Sequence, residues 1–137
     1  MASAWHWVSI GTADMEGALD FWVSRLGFEC VARAEGDDPG LREHWGVTDR
    51  QIALQAMLRS VGAENGGMHL VEWDVAAESV RAEAQVFDLC PKNLDIYVDD
   101  LPVRVAQLAE QGVVFRNEHY SEAVSPDGVH FREIHLA

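Results

Sequence analysis

Trp7-Val-Ser-Ile-Gly-Thr-Ala-Asp14, running on through MEGALDFWVSRLGF, decides how this chain is read, because a later stretch repeats its plan. The later stretch is Asn93-Leu-Asp-Ile-Tyr-Val-Asp-Asp100, running on through LPVRVAQLAEQGVVF. In each copy, apolar residues alternate with others as in a half-buried strand. Asp14 and Asp100 then stand where a helix N-cap belongs, since a short carboxylate accepts the free N–H groups of the first turn. In the first copy Ala18, Leu19, Trp22 and Leu26 recur at helical spacing and form one apolar stripe. Gly27 and Gly112 close the helices, and apolar strands follow at 28–34 and 113–119.

Working outward, EGDDPG (35–40) is a loop by its turn residues, and LREHWG (41–46) suits a single helical turn. QIALQAML (51–58) is read as a strand, although its composition also suits a helix. GAENGG (62–67) is the clearest hairpin signal, and GMHLVEWD (67–74) is the strand after it. SPDG (125–128) is a tight turn before a last strand at 128–136. Gly67-Met-His-Leu-Val-Glu-Trp73 also matches Gly128-Val-His-Phe-Arg-Glu-Ile134, His to His and Glu to Glu. The repeat thus spans two strand–helix–strand–strand–strand modules, residues 1–74 and 92–137, joined by a charged, Ala-rich linker at 75–91.

The 137 residues fit one domain or two small modules, and 48% apolar residues suffice for a core. A formal charge of −13, from 23 carboxylates against 10 Lys and Arg, argues against nucleic acid, whose phosphates require cations. It favours solubility and cationic ligands. No apolar run spans a membrane, and MASAWHWVSIG lacks a secretory pattern, so a soluble cytoplasmic protein is expected. Cys30 and Cys90 show no metal or redox spacing and read as buried free thiols.

The duplicated module, the Asp-capped helix ending in LGF and the late PDG turn resemble the vicinal oxygen chelate superfamily. This group includes glyoxalases, extradiol dioxygenases, methylmalonyl-CoA epimerases and bleomycin-resistance proteins. The resemblance covers nearly the whole chain. It implies an α+β fold, with two tandem βαβββ modules forming an open, mostly antiparallel barrel-like sheet around a cleft, and a homodimer. Metal-dependent members place a His seven residues before the helix-capping Asp and a Glu four residues after the PDG glycine. Those positions hold Trp7, Asn93 and Arg132 here, and the fourth falls at His69 or Val71. A one-residue slip brings His6 and Glu133 into place, but it turns Val8 and Ile10 away from their helix. The usual metal site is therefore expected to be lost, and no cofactor is expected.

Alternation assigns the faces without the family. Val8, Ile10, Met68, Leu70, Leu94, Ile96, Val98, Val129 and Phe131 should pack under the helices. The opposite face then carries Trp7, Ser9, His69, Val71, Trp73, Asn93, Asp95, Tyr97, His130, Arg132 and Ile134. Such a polar and aromatic set suits a small-molecule site better than a plain core. His44, Trp45 and His119 sit in loop-like segments and read as lids or as surface, with surface preferred.

Three functions fit this face. In the first, a metal-independent isomerase, cyclase or lyase moves a proton on a small organic acid or biosynthetic intermediate. His130 or His69 is then the acid or base, Arg132 anchors a carboxylate and Asp95 orients a His or shares its proton. Trp7, Ser9, Asn93, Tyr97 and Trp73 bind the ligand. In the second, the cleft sequesters a cationic aromatic drug without chemistry. In the third, His69 and His130, with Asp95, hold a relocated divalent metal.

Overall fold

The structure, a computed structural model, describes residues 6–76, 78–79 and 94–136. The chain divides into two units, Met1–Cys90 and Pro91–Ala137. The first contains β1 (Trp7–Thr12), α1 (Met15–Leu19), β2 (Glu29–Glu35), α2 (Pro39–Trp45), β3 (Ile52–Arg59) and β4 (Gly67–Trp73). The four strands form one sheet in the order β1-β4-β3-β2, with β1 parallel to β4 and the other pairs antiparallel. The strand–helix–strand–strand–strand order expected of the first module is present, with α2 inserted between β2 and β3.

Helix α1 begins as its sequence dictates. The Asp14 carboxylate accepts the Gly17 N–H at 3.0 Å. A second N–H of the first turn, that of Met15, donates to Glu72 on β4 at 2.6 Å, which ties the helix start to the sheet. The helix continues as a π-helical stretch, Asp20–Arg25, and Gly27 ends it at φ 79°. Met15, Leu19 and Phe28 then pack on Ala56, Leu58, Met68 and Leu70, flanked by Val8 and Ile10. Each large side chain so buried contributes about 1.5–3 kcal/mol.

This packing leaves the opposite sheet face to the odd-numbered residues. The register lays Ser9, His69 and Met57 in one row across β1, β4 and β3, and Gly11, Val71 and Gln55 in the next. β3 carries one extra residue between Ile52 and Leu54, where the pairing shifts.

The second unit contains α3 (Leu101–Glu110) and the hairpin β5 (Ser121–Val124) and β6 (His130–Glu133). Asp100 caps α3, as expected, by accepting the Val103 N–H at 3.2 Å. The PDG turn is closed by Ser125, whose hydroxyl bonds Asp127 and accepts the Val129 N–H.

Three expectations fail in this unit. Residues 94–98 form no strand, and Leu94, Ile96 and Val98 are exposed instead of packed under α3. The strand expected at 113–119 is reduced to one bridge, Phe115 to Leu136. The last strand is four residues long, and Val129 and Phe131 are exposed. Alternation states which face a side chain takes once its segment pairs, but it supplies no hydrogen-bonded neighbour. Among the described residues of this unit, only Leu108 of α3 is buried, so little apolar contact holds such strands in place.

Candidate functional site

The polar centre lies on the free face of the first sheet. His69 is 8% exposed and is the buried polar residue among the described ones. Its Nε2 lies 2.9 Å from Gln55 Oε1 and its Nδ1 lies 3.3 Å from Ser9 Oγ. With Gln55 as acceptor, Nε2 carries the proton, and Nδ1 accepts from the Ser9 hydroxyl. Burial pushes the imidazole below its ordinary pKa, and Asp38 only partly opposes this. The ring is therefore neutral near pH 7, held in one tautomer by two partners.

Above this row lies an open cleft of about 310 Å³, lined by Ser9, Ile10, Gly11, Trp45, Val47, Val71 and Trp73. Trp45 and Trp73 meet edge to face, with centroids 6.2 Å apart, and the Trp45 ring lies 5.8 Å from that of His69. The Trp73 indole nitrogen stands 3.8 Å from where a Cβ on Gly11 would be, so the bare glycine keeps this edge of the cleft open. Arg50 stacks 6.0 Å from the centroid of the Trp73 ring.

Trp45 is delivered by a short helix that is fastened at both ends. Asp38 caps α2 through the Leu41 N–H at 2.9 Å, Pro39 fits its first turn, and Gly46 ends it at φ 69°. Arg42 forks onto both oxygens of Asp37 at 2.7 Å and also donates to the Val47 carbonyl. Asp37 in turn accepts the Ile52 N–H at 3.1 Å. The Arg42 guanidinium holds the Asp37 carboxyl below its ordinary pKa.

The assignment of Trp45 to the surface is thus corrected, since the ring is partly buried as a cleft wall. Gln55 is a second residue that sequence reasoning missed. Its place opposite Val71 was implicit in the alternation of β3, but that segment also suited a helix. The signal for Trp45 was the Asp38-Pro39 cap and Gly46, which together frame a helix around it.

The structure places Ser9, His69, Val71 and Trp73 on one face of the first sheet. Trp7 does not line the cleft. Its ring lies over Gly67, where any Cβ would fall inside the indole, and it remains 41% exposed. Asn93 lies outside the described residues. In the second unit Tyr97 is 95% exposed, and Asp95 is exposed on the unpaired segment. Arg132 pairs with Glu122 across the β5–β6 hairpin at 2.7 Å, with both side chains over half exposed. His130 is exposed at the start of β6.

These residues do not suit the divalent metal of the metal-dependent relatives. Both nitrogens of His69 are engaged, an indole stands at residue 7, and Arg132 is a cation. Among the described residues, no three His, Cys, Asp or Glu side chains are grouped to hold an ion.

The first unit is a mixed sheet with its helix on one face, and the chain shares its fold with solved structures of glyoxalase-like proteins. Solved structures of that class match nearly the whole chain. A glyoxalase family protein from Bacillus cereus matches at TM-score 0.72 and 16% identity, over 99% of this chain and 95% of that one. The trypanothione-dependent glyoxalase I of Leishmania major matches at TM-score 0.58 and 17% identity, over 98% and 87%. TnmS3, an antibiotic binding protein from Streptomyces sp. CB03234, matches at TM-score 0.51 and 21% identity, over 99% and 98%. No protein-family model matches the chain, and no curated protein matches it in sequence. Among the described residues, no helix is long and apolar enough to cross a membrane.

Proposed function

We propose that the cleft of the first unit binds a flat, largely apolar small molecule, and that the protein sequesters it. The supporting observation is the aromatic corner of Trp45 and Trp73, built over a neutral His69 and fixed by the Asp37–Arg42 latch. Its volume of about 310 Å³ is at the lower end of drug-sized sites. The net charge of −13 favours neutral or cationic ligands over anions. That a neighbour in fold, TnmS3, is an antibiotic binding protein agrees with this reading.

Titration with ethidium or doxorubicin, followed by tryptophan fluorescence, tests it. Saturable quenching with unchanged ligand is expected, and Trp45→Ala should weaken it about tenfold, the scale of one lost aromatic contact. Quenching identical in the variant would remove the cleft from the account.

A second reading keeps metal-independent proton transfer, by an isomerase, cyclase or lyase. The observation that favours it is the unprotonated Nδ1 of His69 beside the cleft, a base in place near neutral pH. The roles of His130, Asp95 and Arg132 in the second unit stay a separate proposal, read by their alanine variants. The homodimer is likewise proposed, and sedimentation velocity reads it.

A further inference from the structure

The hydrogen-bonded series Ser9–His69–Gln55 has the parts of an activated hydroxyl, and we infer that Ser9 is an acyl acceptor for small aryl esters bound in the cleft. This rests on the cleft being a small-molecule site. Ser9 lines the cleft, while His69 stands behind it and contributes no surface to the lining. The Oγ to Nδ1 separation of 3.3 Å is that of a nucleophile and its base before a substrate tightens them. Gln55 at 2.9 Å fixes the tautomer that leaves Nδ1 free to take the proton. The three residues sit on three adjacent strands, in registers set by the sheet, so the geometry is rigid. The aromatic corner receives the aryl group, and the indole N–H of Trp73 makes no hydrogen bond among the described residues, leaving a donor for an ester oxygen.

The step balances without a further reagent. Ser9 Oγ bonds to the carbonyl carbon as its proton passes to His69 Nδ1. The bond from that carbon to the aryl oxygen breaks, and the departing aryl oxide takes the proton from Nδ1. Water later cleaves the acyl-Ser9 ester and releases the acid. Gln55 is neutral, so it orients the ring without stabilising an imidazolium as a carboxylate does. Acylation is therefore slow and deacylation slower, and the acyl-enzyme accumulates.

The test uses 4-nitrophenyl acetate with the full chain, read by nitrophenolate release and by peptide mapping in a mass spectrometer. One acetyl group on Ser9 is expected. Ser9→Ala should lose it while keeping the circular dichroism spectrum of the unaltered protein. His69→Gln, checked for folding by circular dichroism, should slow acylation by about a hundredfold or more. Acetylation confined to the single lysine Lys92, to Cys30 or to His69 itself overturns the inference, as does an undiminished rate in a folded His69→Gln. Quenching without any adduct overturns it and leaves the binding site standing. The absence of both overturns the two together.

Discussion

His69 is the residue on which the site turns, and its state is set by what surrounds it. A buried imidazole with both nitrogens satisfied is stable only while neutral, because protonation places a hydrogen on Nδ1, where Ser9 now donates. Its pKa in the fold lies below the ordinary value of about 6.5, so the unfolded chain binds the proton more readily. The stability it contributes is complete above about pH 6.5 and is lost as the pH falls below that. Urea denaturation from pH 8 to 5 should show this loss, and His69→Gln should flatten it. Gln55→Leu leaves the Nε2–H without its acceptor, and a midpoint shift equivalent to about 1–3 kcal/mol is expected. His69 and its face were legible in the sequence, because Met68 and Leu70 had to pack inward. Trp45 was not, since a lone Trp beside Gly in a polar stretch carries no periodicity of its own.

Two elements carry the site, and each is held by a carboxylate. Glu72 ties the start of α1 to β4 at 2.6 Å, and the Asp37–Arg42 fork ties α2 to the start of β3. The Asp37 carboxyl lies below its ordinary pKa through its hydrogen bonds to Arg42, so the latch holds above about pH 4 and is lost as acid protonates it. Asp37→Asn should therefore raise amide hydrogen exchange across 38–47 while leaving exchange in β3 beyond Ile52 and in β4 unchanged. Unchanged exchange across 38–47 would show that α2 needs no latch. The helices and β4 were readable because cap residues and glycines punctuate them. The strands of the second unit were over-read from alternation in 94–98 and 113–119, where the chemistry of a strand is present but no ladder forms among the described residues.

At the scale of the whole molecule, the duplication in sequence is only partly a duplication in structure. The first unit is a complete βαβββ module with a core, and the described part of the second holds one helix and a short hairpin. The repeat thus gave the fold class correctly and overstated the likeness of the halves. Charge also acts at this scale. With −13 spread over 137 residues, a cationic ligand is drawn in by a field that salt screens. The association rate of ethidium should fall several-fold between about 0.01 and 1 M salt, while that of a neutral aromatic stays level. Equal salt dependence for both would remove the field from the account.

The central claim is that the Trp45–Trp73 corner is where a small molecule binds, and the five tryptophans give it a direct readout. Selective labelling resolves their indole N–H signals by NMR, and Trp22, packed against Phe28 on the helix side of the sheet, serves as an internal control. On addition of ethidium, the account predicts saturable shifts at Trp45 and Trp73 with Trp22 unmoved. Signals of Trp45 and Trp73 that stay fixed while ethidium binds would contradict it.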